Sequence, residues 1–483
     1  MKSQTEKGCI SRRKSLPVSL AMVLAGAISA AQAGDAPIAG DRTALRKTGL
    51  FLEVSLHASA AEARSKGRSG VNKGNSAVPR AVMNCDDDGS PGTLRSQVTN
   101  AVDGDTIDLS QLMCSTITLG SAIEVNQDNL TLKGPGAAYL TLDGAAHSPI
   151  IEHSGFGTLT VYDLTIANGY RVGDLYSGGG GCIYSRASVA LFRTTVSHCL
   201  LGNVGQGLAK GGGVYAHRNL SLADVTIDEC HALGVGIFAQ GGGAYAGLDL
   251  EVKYSTISNN SAYGSLGIGG GLYDHFGNVS IEGSTISGNR ANFDAGMNLA
   301  SQMNTTAQIT NSTISGNFAK ENRGGINTSM PLTLTNSTVA FNRSHNASNG
   351  AGLYSNESLT LESSIIAANV AGSIQSDLGG NGISVTGDHN LITSSSVSVP
   401  FDTIHDCPNL DPLANNGGAT RTHALRHASA AIDNGSNQAA LVHDQRFAPR
   451  VAGAAADIGA FERQSTDADE RVFVNGFDGL CDR

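Results

Sequence analysis

Between about residues 159 and 370, apolar and polar residues alternate in short runs: Leu220-x-Leu222, Leu250-x-Val252, Val279-x-Ile281, Leu332-x-Leu334 and Leu359-x-Leu361. A period of two is that of a half-buried strand, and the flanking Asn, Gly and Ser residues favour turns. A two-part phrase frames each run. Its first part is glycines, an apolar residue and usually tyrosine, as in Gly211-Gly212-Gly213-Val214-Tyr215 and Gly241-Gly242-Gly243-Ala244-Tyr245. Its second part is Ser-Thr-Ile-x-x-Asn, as in Ser255 to Asn260 and Ser284 to Asn289. The apolar residue of the second part recurs as Ile166, Val196, Ile227, Ile257, Ile286, Ile314, Val339 and Ile366, at intervals of 30, 31, 30, 29, 28, 25 and 27 residues. Such a period marks a stacked repeat, in which no unit buries its apolar side without its neighbours. Leucine-rich, ankyrin and tetratricopeptide units need helical stretches, which the period of two excludes. The pattern predicts an all-β fold: a right-handed parallel β-helix, with two or three strands in each coil of about 28 residues.

Stacking turns each repeat position into a column. Three residues past the marker stand Gly169, Cys199, Cys230, Asn260, Asn289, Asn317, Asn342 and Asn369, where Asn can hydrogen-bond along the stack and tolerate a left-handed turn. One residue before the marker runs a β-branched column from Thr165 to Thr338. Ahead of the repeat, Ser90 as cap and Pro91 in the first turn predict a helix to about Ala101 that covers the first coil. The expected organisation is a signal peptide at 1–33, a leader at 34–80, an N-terminal cap at 81–105 and the β-helix at 106–400. A loop-rich C-terminal segment at 401–462 and a linker and tail at 463–483 complete it.

Charge and cysteine narrow the function. Basic residues from Lys2 to Lys14, an apolar run from Leu16 to Ile28 and Ala31-Gln32-Ala33 form a secretory signal, with ordinary export favoured over the twin-arginine route. The formal charge of −10 becomes −14 once the signal is removed, and no basic stripe is present, which disfavours nucleic acid and anionic membrane as partners. No other run is long and apolar enough to span a bilayer as a helix. Asp86-Asp87-Asp88-Gly89 reads as a solvated turn rather than a calcium loop, no Cys/His cluster has zinc spacing, and no metal or cofactor is expected. Export permits disulfides. Cys199 and Cys230 share a column in adjacent coils and are the predicted pair, with Cys85 and Cys114 a second; Cys182, Cys407 and Cys481 are left unassigned.

The repeat of Gly-Gly-apolar followed by Ile-x-x-Asn resembles that of polymorphic outer-membrane proteins and the wider pectin-lyase-like β-helix group. The stretch Leu410-Asp411-Pro412-Leu413 to Leu425, with Ala430–Asp433, Asp444-Gln445-Arg446 and Ala456–Glu462, is similar to the choice-of-anchor Q domain of secreted bacterial β-helix proteins. Val472-Phe473-Val474-Asn475-Gly476-Phe477-Asp478 is similar to a tail on exported proteins of some Gram-negative bacteria. These resemblances imply an extracellular or outer-surface location; the autotransporter members of the first group end in a large membrane β-barrel, and this chain, ending Cys481-Asp482-Arg483, is expected to depart from them there.

Two columns are candidates for chemistry. Asp163, Arg193 and Asp224, followed by Tyr254, place two carboxylates and a guanidinium on consecutive coils, enough in principle for acid–base work on a sugar. An ion-pair ladder is the favoured reading of the same residues. Tyr184, Tyr215, Tyr245, Tyr273 and Tyr354 form an outward aromatic column that either stacks on sugar rings or, preferentially, on itself; it lapses at Asn298 and Asn327. Tyr273-Asp274-His275 reads as a surface triplet. The leading expectation is a non-enzymatic exported surface protein, adhesin-like or glycan-contacting. The alternative is a polysaccharide lyase or glycoside hydrolase acting on the side of the β-helix.

Overall fold

The computed structural model describes residues 79–467, apart from 174–178, 204–207, 301–303 and 348–349. The signal peptide, nearly all of the leader and the tail motif lie outside the described residues. Within them the alternating runs become strands of four parallel walls. A leucine wall of twelve strands runs from Pro79–Ala81 through Leu220–Ala223 to Val385–Asp388. A threonine wall of eleven runs from Thr116–Thr118 through Thr226–Asp228 to Leu391–Ile392. A tyrosine wall of ten runs from Ile123–Val125 through Val214–Ala216 to Leu378–Gly380. The fourth wall starts at Tyr170–Gly173, includes the long His231–Gln240 and Ser261–Ile268, and closes with an antiparallel turn-back at Ile374–Gln375. Each strand pairs with its counterpart one coil away, Leu220 with Leu250 and Ile227 with Ile257, so the chain is a parallel β-helix. It begins earlier than expected, because Pro79–Ala81 already pairs with Thr106–Asp108.

The period of two sends Leu220, Leu222, Val214 and Ile227 inward, where each is essentially unexposed, and Ser221, Tyr215 and Thr226 outward. The fourth wall lines its inner side with Ala232, Ala262, Ala291 and Ala319, because the next segment lies almost against it. A Cβ on Gly242 would come within 2.3 Å of the Ser261 carbonyl carbon, and Gly241 before it has φ +68°. Only glycine admits both the close approach and the left-handed turn.

Two polar ladders occupy interior corners. Asn260, Asn289, Asn317 and Asn342 each donate an amide N–H to the next Asn side chain at 2.8–3.0 Å and are fully buried. The left-handed residue of that corner is the one before the ladder, among them Asn259 (φ 55°), Gly288 (67°) and Phe341 (59°), so the Asn column is held by hydrogen bonding rather than by backbone tolerance. The serine of the repeated phrase forms the second ladder. Ser284, Ser312, Ser337 and Ser364 each accept the backbone N–H of the preceding coil's serine at 3.1–3.2 Å.

The predicted bond between Cys199 and Cys230 does not form. Cys199 is bridged to Cys182 (Cα–Cα 5.5 Å), and Cys230 is a buried free thiol. Residues stacked in register point their Cβ bonds the same way, leaving sulfurs about one strand spacing, ~4.8 Å, apart. Cys182 instead occupies the column that is glycine in later coils, where Gly243 faces Asn260 and Gly271 faces Asn289 across one coil. The bond thus crosses a coil instead of linking two. Cys85 and Cys114 are bonded, and so is Cys407.

The N-terminal helix is Leu94–Thr99, capped by Thr93, whose hydroxyl accepts the Ser96 N–H. Gly92 at φ +90° cannot be helical, which moves the start past Ser90 and Pro91. Asp87 is no solvated turn residue: it clamps Arg95 through two hydrogen bonds of 2.8 and 3.0 Å and accepts the Gly120 N–H. The C-terminal segment folds back along the outside of the threonine wall instead of projecting from the last coil. Leu410, Leu425, Ile458 and Phe461 pack with Ile365 and Leu391. Gln445 bridges Thr313, Thr285 and Thr420 at 2.6–3.0 Å.

Candidate functional site

Asp163, Arg193, Asp224 and Tyr254 stand at the corner between the leucine and threonine walls, where each has a left-handed φ of 47–57°. The corner turns on a single residue whose side chain projects from the stack. Arg193 grips Asp163 through Nε at 2.7 Å and Nη2 at 2.8 Å, and that hydrogen-bonded pairing pushes the guanidinium pKa upward. Tyr254 donates to Glu282 at 3.2 Å and packs its ring against Phe447 of the C-terminal segment. With both Asp163 oxygens held, the column carries one ion pair, Arg193 with Asp163, on a convex edge.

The tyrosine column stacks on itself. Ring centroids of Tyr184, Tyr215, Tyr245 and Tyr273 follow at 5.3, 5.2 and 5.4 Å, with planes within 21° of parallel. Facing outward does not leave them open: Tyr245 is 2 % exposed and Tyr273 7 %. Lys210 Nζ lies 4.9 Å from the Tyr245 centroid, and the His275 ring leans on Tyr245 and Tyr273. Tyr354, in the coil directly after the lapse, lies under the Arg323 guanidinium, which is paired with Asp294. Asp294 also receives the amides of Asn298 and Asn327, so the lapse is a small polar knot of its own.

The surface triplet is not on the surface. Asp274 occupies an inward position between Ala246 and Leu299, fully buried, with neither carboxylate oxygen hydrogen-bonded. Burial raises its pKa to about 9, and burial lowers that of His275 to about 4, so at neutral pH both are uncharged.

Two features escaped the sequence reading. One is a groove of about 500 Å³ beside the leucine wall, lined by Ser221, Asp249, Glu251, Asn278, Ser280 and Gln308 across successive coils. Asp249 and Asn278 belong to a readable column, each accepting the backbone N–H of the next coil at 2.9 and 3.2 Å. Burial raises the Glu251 pKa, but hydrogen bonds from Lys253 and Ser221 outweigh it and hold the group ionised. The other is a carboxylate pair where Glu124 and Glu152 stand in register ahead of Tyr184. Burial and the Glu152 charge push Glu124 upward, while Glu152 is bound to Arg171 at 2.5 Å. The outward residue is tyrosine in five later coils and glutamate in these two, a switch visible only once register is known.

No protein-family model and no curated protein matches this sequence. Among solved structures, the chain is similar to one described as the crystal structure of pectate lyase Pel9A, at 13 % identity and a TM-score of 0.44, over 80 % of this chain and 98 % of that one.

Proposed function

We propose that this chain is an exported β-helical rod that contacts glycans without chemically altering them. The observation that carries the reading is the open groove of about 500 Å³, in which hydroxyl, amide and carboxylate groups repeat from coil to coil along the rod. An elongated, hydroxyl-rich polymer matches such a surface, because each coil offers hydrogen bonds at strand spacing, ~4.8 Å. Within the groove Glu251 is held ionised, which disfavours it as a general acid, and Asp249 Oδ1 accepts the Asn278 backbone N–H. The disulfides of Cys85, Cys114, Cys182 and Cys199 suit an oxidising compartment, in keeping with the signal at 1–33 and an extracellular or outer-surface location. The resemblance of the C-terminal segment to a choice-of-anchor domain supports surface association.

One observation favours the second reading, a glycoside hydrolase: Glu124, pushed toward its protonated form, stands beside Glu152, which is bound to Arg171. Incubating the purified chain with a panel of polysaccharides, and measuring both retention and released product, separates the two. The rod reading expects retention without product. Product that disappears in Glu124→Gln establishes the hydrolase instead, and neither retention nor product removes both.

A further inference from the structure

Arginines in this molecule are often held by carboxylates: Arg80 by Asp105, Arg95 by Asp87, Arg171 by Glu152, Arg193 by Asp163 and Arg323 by Asp294. Around the stacked tyrosines this arrangement is broken. Among the described residues no carboxylate pairs with Arg186, Lys210 or Arg218, although the chain as a whole carries an acidic excess of ten. Lys210 is half-buried, its ammonium set against the Tyr245 ring and pushed toward deprotonation by burial. Exposed His217 accepts or donates a hydrogen bond of 3.1 Å with the Tyr215 hydroxyl and feels Lys210, Arg186 and Arg218 together. His275 feels Lys210 and His217, and its Nδ1 is buried without a partner. On the same wall, Glu152 belongs to Arg171 and Asp274 is turned into the core.

A partly desolvated ammonium without a counter-charge is costly, and an oxyanion brought to it recovers that cost through charge-assisted hydrogen bonds. Arg218 is followed in the chain by Asn219, which lines the groove, so Arg218 stands beside the surface already assigned to glycans. Resting on that reading, we infer that Lys210, His217, Arg218 and Arg186 form a receptor for an anionic substituent, sulfate or carboxylate, on the bound glycan.

The test compares a sulfated oligosaccharide (a heparin fragment), an oligogalacturonate and a neutral dextran fragment by calorimetry on the full chain. At least one anionic probe should bind ten-fold or more tighter than dextran, and 0.5 M salt should remove that advantage. The sulfated and uronate arms identify which oxyanion is taken. Lys210→Gln with Arg218→Gln should lose the ten-fold preference and keep dextran binding, while Lys210→Arg should retain it; circular dichroism checks that each variant is folded. Equal binding of charged and neutral probes, or a double variant that binds anions like the parent, overturns the inference and leaves the glycan-contacting rod standing. Failure of all three probes overturns both.

Discussion

At Asp274 a single buried carboxyl links sequence to pH-dependent stability. Its oxygens lie in the apolar interior without partners, so the protonated form is favoured in the fold and the ionised form in the unfolded chain. A folded pKa of about 9, above the ordinary 3.8, means that stability is full below pH ~4 and is lost steadily as pH rises toward 9. Asp274→Asn removes the ionisation and should raise stability at pH 7 by about 4 kcal/mol, with little change at pH 4; urea unfolding at the two values checks it. At the other extreme of reactivity, burial raises the Cys230 thiol to about 12, so it should resist alkylation until the protein unfolds. Non-reducing peptide mapping should find Cys182 joined to Cys199, and removing that bond should cost about 3 kcal/mol. The cysteine column was legible in the sequence and its pairing was not. A column tells which residues stack, but it does not tell which residue faces the column from across the coil.

Coils are the elements of this protein, and they were the most legible part of it. The alternation of Leu220 and Leu222, the tyrosine column and the threonine column all follow from a side-chain period of two, which strand geometry enforces regardless of context. Helix ends and ladders depend on finer matters. The Ser90 cap failed because Gly92 turns left-handed, and the serine ladder was overlooked because a serine between strand and corner reads simply as a turn residue. The ladders make a measurable claim about cooperativity between coils. Asn317 accepts from the backbone and side chain of Asn289 and donates to Asn342 and to the Ile286 carbonyl. Asn317→Ala removes these four buried hydrogen bonds at once and should cost about 3 kcal/mol or more in denaturant unfolding. Thr333→Ala, on the outer side of the leucine wall, should stay within about 0.5 kcal/mol. Equal effects of the two would show that the interior ladder contributes no more than the surface does.

On the scale of the whole molecule, the C-terminal segment is part of the body of the β-helix, and this was the least legible feature of the chain. Its apolar residues were readable, but it has no repeat to give a register, so the wall it covers could not be inferred. The covered surface is specific: Thr285 and Thr313 are fully buried beneath Gln445, and Ile365 beneath Ile458 and Gly459, whereas Thr226 and Thr256, farther toward the N-terminus, stay partly open. Truncation at residue 409 would therefore uncover the outer threonine wall over several coils, together with Ile365 and Leu391. The truncated chain should lose solubility, bind a hydrophobic dye and unfold at a lower temperature. Acid offers a milder version of the same experiment. His423 is buried between Ser315, the Asp411 carbonyl and the Phe341 ring, and burial lowers its pKa to about 4. A depressed histidine contributes stability that is complete above its ordinary 6.5 and lost as pH falls toward 4, up to about 3 kcal/mol. Amide exchange in 410–462 should consequently accelerate between pH 6 and pH 4, after correction for intrinsic rates, before exchange in the coils responds. His423→Gln, which keeps a hydrogen-bonding group without the titration, should flatten that dependence. If the two regions instead loosen together at every pH, the segment and the coils unfold as one cooperative body.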